Sequence, residues 1–427
     1  MRRRIGRAGG VRAAWCAVGR AARCAGWLGP AAAVMAAFPG AASAQVPPRL
    51  AATPEPEAGM VAVALRIAGG SADDDAAQSG RTQLAALAAL AALQPALDSL
   101  GARAHAECGR TATGFTLLAP PGTWEAAARR FTAAIFAAAP DSGDMARARR
   151  QLEASTELEN GNPTWQVRLV TRQALYGVDD PWTRPRCGVP ETIGQVPDTA
   201  IVSRARAAFR PDRAVAAVNG PIDVQQAERI FDEWFGPTPL PVAARPLSPD
   251  SSVRVAERNT VTAWLGLAFP VRGDVDPEAL RMVAFLLDDA TRPGPDRPGL
   301  LGASVEIERH QGHAVVFVYL ITEPDAAQVW SKRVAELVHR YAASPLPDAG
   351  FRARLRRFRG IRLRQLATPD ARARRNAEAL FSGLPLTHAA RAIDALTPAA
   401  VQHAAAALGP PARGVVGPAR VVNAFPG

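Results

Sequence analysis

Residues 80–93 read GRTQLAALAALAAL. Leu84, Leu87, Leu90 and Leu93 recur every third residue among alanines, and Ala and Leu are strong helix formers. The pattern predicts a helix that follows Gly80 and is stopped around Pro95. Just upstream, residues 60–68 alternate. Val61, Val63, Leu65 and Ile67 fall on one face and Ala62, Ala64 and Arg66 on the other, as in a half-buried strand. Gly69 and Gly70 end that strand. Asp73, Asp74 and Asp75 then form an acidic turn, read here as solvated.

Working outward, residues 102–107 and 112–119 read as a strand pair. Helices are predicted over 123–138 with Thr123 as N-cap, over 142–159 and over 164–176. A Pro- and Gly-rich loop crosses 177–195, a helix covers 198–209, a strand 214–218 and a helix 222–235, while the Pro-rich residues 45–58 read as irregular. The second half gives a strand at 262–269. A helix is then capped by Asp276 with Pro277 in its first position, its core stripe being Leu280, Val283, Ala284 and Leu287. Strands at 303–309 and 314–322, helices at 325–342, 348–366, 370–382 and 397–408, and a strand at 414–416 complete it.

The two halves repeat in detail as well as in order. Pro197, Pro211 and Gly220-Pro221 correspond to Pro398, Pro410 and Gly417-Pro418, at offsets of 201, 199 and 197; Ala174-Leu175-Tyr176 corresponds to Ala379-Leu380-Phe381 at 205. Near-constant offsets across separate landmarks indicate an internal duplication. The expected organisation is a first α+β half over 45–236, a linker over 237–252 with five prolines, and a second α+β half over 253–427.

Composition fits this plan. A chain of 427 residues, 48% hydrophobic and 21% charged, is globular and long enough for two domains of roughly 180 residues each. Residues 1–44 hold seven Arg, no acid, a small-residue apolar run over 25–38 and the A-x-A pattern Ala42-Ser43-Ala44, together the pattern of a secretory signal. The mature chain is expected to be exported, to the periplasm of a Gram-negative source, without stable membrane insertion, because no run is apolar and long enough to span. Removing those seven arginines lowers the net charge from +11 to +4 (11 − 7). With no basic run interleaved with aromatics, nucleic acid is not expected as a partner. The basic segment 352–364, RARLRRFRGIRLR, reads as a solvated helix face. Cys108 and Cys187 remain after the leader is removed, and in an oxidising compartment they either pair or persist as buried thiols. No G-x-S-x-G elbow or phosphate loop occurs, and His310-Gln311-Gly312-His313 reads as a hairpin turn rather than a metal site.

The stretch VALRIAGGSADDD, Asn162-Pro163 ahead of Ala174-Leu175-Tyr176-Gly177, Phe209-x-Pro211 followed by Ala217-x-Asn219-Gly220, and Gly299-Leu300 in the second half together resemble the insulinase/pitrilysin family of zinc peptidases over roughly residues 55–420. The resemblance implies two homologous halves, each an antiparallel sheet backed by helices, arranged as a clamshell. It also implies an H-x-x-E-H motif on the helix after the acidic turn. There two His one turn apart bind zinc, the intervening Glu is the general base, and a third ligand comes from a later helix. Here those three positions hold Gln83, Ala86 and Leu87, and the third-ligand position falls near Ser155, flanked by Glu153 and Glu157. The Tyr of the family's substrate-holding Gly-Leu-x-Tyr pattern is replaced by Gly302, and Pro295 stands near its Arg position.

The resemblance therefore implies a non-catalytic homologue with no zinc cofactor, paired with an active H-x-x-E-H peptidase as a structural or peptide-binding subunit. The alternative is a stand-alone periplasmic module binding peptides or protein. An active metallopeptidase with relocated ligands is the least favoured reading, because His310 and His313 lie in the other half with no accompanying carboxylate motif.

Overall fold

The computed structural model describes residues 49–160, 162–235, 252–310, 313–387 and 389–425. The expected leader, the linker apart from Ser252, and Gly312 of the expected turn lie outside them. The first half comprises β1 (Leu50–Pro54), β2 (Val61–Ala68), α1 (Arg81–Asp98), β3 (Arg103–Cys108), β4 (Ala112–Ala119), α2 (Trp124–Phe136), α3 (Ser142–Asn160), α4 (Pro163–Tyr176), α5 (Pro190–Gln195), α6 (Asp198–Ala208), β5 (Ala214–Gly220) and α7 (Val224–Asp232). The second comprises β6 (Val253–Glu257), β7 (Ala263–Val271), α8 (Pro277–Ala290), β8 (Leu300–His310), β9 (His313–Thr322), α9 (Ala327–Ala343), α10 (Asp348–Gln365), α11 (Pro369–Phe381), α12 (Ala389–Asp394), α13 (Pro398–Ala406), β10 (Ala412–Gly417) and α14 (Ala419–Val422).

Each half builds one five-stranded sheet, in the orders β1-β5-β2-β4-β3 and β6-β10-β7-β9-β8. Advancing every strand number by five converts one order into the other, so the duplication read from the sequence offsets is also a duplication of topology. Neighbours are antiparallel except β1 with β5 and β6 with β10, which are parallel and make both sheets mixed. This corrects two readings. The sheets are not purely antiparallel, and residues 50–54 are a strand rather than irregular; residues 253–257, for which no element is predicted, are a strand as well. Pro54 is tolerated because β1 is an edge strand.

Helix α1 is the centre of the first core, with α2, α3, α6 and β3 against it. A three-residue repeat drifts around a helix of 3.6 residues per turn, so its leucines do not share a face. Leu84, Ala85, Ala86, Ala88 and Ala89 are buried, whereas Leu87 and Leu90 are only partly covered. The alanines let neighbouring elements come close. The helix also runs through Pro95 to Asp98, because near a helix end a proline removes only one bond. Thr123 is the N-cap residue of α2, its carbonyl accepting from the Ala127 N–H at 3.0 Å, but its hydroxyl donates to the Leu100 carbonyl at 2.7 Å rather than accepting from the helix. Asp276 does cap α8, accepting from the Ala279 N–H at 2.7 Å.

The halves exchange helices. α4, from the first half, lies on β10, β7 and β6 of the second sheet; α11, from the second half, lies on β2 and β5 of the first. Ala373, Ala377, Leu380 and Phe381 of α11 pack on Ala62, Ala64, Ala68, Val215 and Ala217. Val167, Val170, Ala174 and Leu175 of α4 pack on Ala268, Val315, Phe317 and Val416. Strand β2 is therefore buried on both faces and is not the half-buried strand its alternation predicts. The approach of α4 is close: a Cβ at Gly414 would fall 2.6 Å from Thr171 Cα, and one at Gly266 3.0 Å from Thr171 Cβ.

Candidate functional site

The acidic turn organises the start of α1. Asp74 is buried rather than solvated. One carboxylate oxygen accepts from the Thr82 N–H at 3.1 Å and the other from the Thr82 hydroxyl at 2.5 Å, while Arg204 Nε and Arg81 Nε stand 3.6 and 3.8 Å away. A carboxylate at a helix N-terminus satisfies orphan N–H groups and meets the positive end of the dipole. Burial still raises the Asp74 pKa above the ordinary carboxylate range.

Within this frame the three motif positions occupy one turn of α1. Gln83 is 8% exposed, and its Oε1 accepts from the Cys108 N–H at 2.7 Å, tying α1 to the end of β3. Ala86 is 0% exposed. Leu87 packs partly covered against the first core. On α3, Leu152 and Thr156 are buried, Glu153 is half-buried, and Ser155 and Glu157 are exposed. The donor set does not fit zinc: an amide already engaged, a methyl and an isobutyl group stand where two imidazoles and a carboxylate are needed. Among the described residues no group of three or more His, Cys, Asp or Glu is placed to hold a metal ion.

Cys108 is buried and Cys187 half-buried, and no disulfide joins the two in this structure. Burial, then the Asp74 charge, pushes the Cys108 thiol up to about 12. The Cys187 segment presses on the start of α1; a Cβ on Gly80, whose φ is +93°, would lie 2.5 Å from the Cys187 carbonyl oxygen.

His310 and His313 pair across the end of the β8–β9 hairpin. Their ring centroids lie 4.2 and 4.6 Å from that of Trp182, and Thr111 Oγ1 lies 3.4 Å from His310 Nδ1. The pair is thus packed against the first half as part of the contact between halves. Arg172 of α4 pairs with Glu308 and Arg168 with Glu306, their guanidiniums lying over Phe317 at 4.9 Å and Tyr319 at 5.0 Å. Burial opposes the Glu308 charge, but Arg172 and a bond with His310 hold its pKa well below the usual carboxylate range. Across the other exchanged helix, Arg66 Nε meets Glu378 Oε2 at 2.9 Å and Arg372 forks onto Glu55 at 2.5 and 2.7 Å.

Between the halves lies a cavity of about 410 Å³. Its floor is the small-residue face of β2 and β4 (Ala64, Gly114, Thr116). Its walls are β8 on one side and α11 on the other. Nothing in the local sequence marks this site, because its walls come from elements about 200 to 300 residues after those of its floor. The only hint is the run of small residues on the second face of β2.

The fold is of the insulinase/pitrilysin type. The chain is similar, at a TM-score of 0.70 and 19% identity over 86% of its length and 95% of the other, to a peptidase M16 inactive domain from Pseudomonas fluorescens. It is similar to a protease from Helicobacter pylori (TM-score 0.71, 13% identity, 86% of this chain and 96% of that one) and to a chain of complex III2 from Candida albicans (0.70, 13%, 86% and 93%). No protein-family model and no curated protein matches the sequence.

Proposed function

We propose that this chain is a non-catalytic homologue of the insulinase/pitrilysin peptidases, exported to the periplasm, which pairs with an active H-x-x-E-H subunit and contributes a peptide-binding wall to their shared chamber. The observation that carries the reading is the state of the motif turn. Gln83 is spent on the Cys108 N–H and Ala86 is sealed in the core, so the turn offers neither metal ligands nor a general base. A chamber wall needs shape and surface rather than ligands, and the cavity between the two sheets retains both. Similarity to an M16 inactive domain supports the absence of catalysis, and similarity to a chain of a named complex supports assembly with other chains.

The test is capture of the mature protein from its native extract at native expression level, with mass spectrometry of what accompanies it and zinc analysis of the purified chain. A stoichiometric relative carrying H-x-x-E-H, with no zinc on this chain, is the expected result. Recovery of the chain alone would sink the pairing and leave a stand-alone peptide-binding module. Zinc and proteolysis by the chain alone would sink both.

A further inference from the structure

We propose that the cavity between the halves binds a carboxylate-bearing peptide segment, with Arg309 and Arg110 as its anion-holding residues. This rests on the peptide-binding reading above and narrows it to acidic ligands.

Six arginines and three glutamates line the cavity. Each glutamate already has a partner: Glu378 meets Arg66 at 2.9 Å, Glu107 meets Arg186 at 3.4 Å, and Glu308 meets Arg172 from behind the wall. Two more lining arginines are neutralised from outside, Arg281 by Glu278 at 2.9 Å and Arg374 by Asp370 at 3.0 Å. Arg309 and Arg110 are left over. Among the described residues no carboxylate lies within ion-pair distance of either. Glu378, Asp276, Glu278 and Asp274 act on Arg309, and Glu308 on Arg110, only at longer range. Arg309 Nε and Nη2 are buried without a hydrogen-bond partner, as is Arg110 Nε. Arg110 is 6% exposed, and the one bond its guanidinium makes goes from Nη1 to the Arg184 carbonyl at 3.0 Å.

A buried guanidinium without a counter-charge is costly, and two on one cavity call for negative charge from outside the chain. Burial accordingly lowers the pKa of both, Arg110 to about 9. Arginine's fork matches a carboxylate with two parallel bonds. The floor of Ala64, Gly114 and Thr116 leaves room above it, and about 410 Å³ is ample for a few peptide residues, whereas a single inorganic anion would fill little of it.

The experiment uses the full mature chain and fluorescein-labelled, C-terminally amidated octapeptides of Ala and Glu, with the isosteric Gln peptide in amidated and free-acid forms. Anisotropy is read at low and high salt. The Glu peptide should bind at least about tenfold more tightly than the amidated Gln peptide, a gap that narrows with salt. A preference for the free-acid over the amidated Gln peptide would assign the anion to a chain terminus, and its absence to side chains; either supports the site. Arg309→Gln should reduce the Glu preference to within about threefold. Arg309→Lys should keep part of it, and Arg356→Gln on the outer face of α10 should leave it intact. Equal binding of Glu and amidated Gln peptides would overturn the acidic class while leaving peptide binding standing, whereas no binding of any peptide would remove both. Since Arg309 has no partner to lose, Arg309→Gln should melt no lower than the parent. A lower melting temperature, or an undiminished Glu preference in this variant, would overturn the assignment.

Discussion

The Cys108 N–H donates to Gln83 Oε1 at 2.7 Å, so the side chain at the first motif position braces α1 against the end of β3. Gln83→Ala should leave that buried donor unsatisfied and cost about 1–3 kcal/mol. Ala86→Glu, which forces a carboxylate into a fully enclosed site, should cost more. Denaturant midpoints measure both. If Gln83→Ala kept the parent's midpoint, the brace would be dispensable and the motif turn less fixed than described.

Gly266 and Gly414 admit α4 to the second sheet, but they meet different parts of Thr171. Gly266 faces only its side chain, whereas Gly414 meets the hydroxyl and also the backbone N and Cα. Each Gly→Ala change should destabilise by about 1–3 kcal/mol through overpacking. Adding Thr171→Ala should rescue Gly266→Ala more than Gly414→Ala, because the backbone N and Cα still crowd a side chain at position 414. A double-mutant cycle shows whether the coupling is larger at Gly266.

Glu308 gives the contact between halves an acid-sensitive element. Its folded pKa lies below its unfolded one, so its contribution is fully present above the ordinary carboxylate range of about 4.3. It is lost as pH falls through that range toward the folded value, since the unfolded state then binds the extra proton. Melting temperature should therefore drop as pH is lowered from about 5. Glu308→Gln should lose about 3–5 kcal/mol at neutral pH by stranding Arg172, and should show a flatter acid limb. Parallel acid limbs for parent and variant would mean that other carboxylates govern the acid response.

The thiols should differ in reactivity. Cys108 is buried and pushed up to about 12, so almost none of it is thiolate at neutral pH, while Cys187 is half-buried. Ellman titration of the reduced native protein should modify Cys187 first and reach Cys108 only on unfolding. Finding no titratable thiol in non-reduced, unfolded protein lacking residues 1–44 would show that the two pair.

Local features were legible where a short pattern dictates them. Asp276 before Pro277 specified the start of α8, and the matching ends of α4 and α11, Ala174-Leu175-Tyr176 and Ala379-Leu380-Phe381, exposed the duplication before any coordinates. What the pattern could not show depends on partners far along the chain. β1 and β6 are short edge strands whose parallel partners follow about 160 residues later. The alternation of β2 predicts one wet face because the helix that dries it comes about 300 residues further on. Asp74 looks like one of three surface acids until Thr82 and Arg204 close on it. Nothing local announces that Gln83 braces α1 against β3, because its partner, the Cys108 N–H, lies 25 residues on.

The helix exchange also governs the order in which the protein can become whole. The first half emerges with one face of its sheet bare, because the segment that covers Ala62, Ala64 and Val215 follows more than 130 residues after that half's last helix. At about 5–20 residues per second that face waits many seconds for its cover. A chain cut in the proline-rich segment would yield two fragments, each carrying a helix that belongs to the other. Each would expose the apolar sheet face that the other's helix covers. A truncation ahead of Pro369 would strip the first half of its lid as surely as it shortens the second.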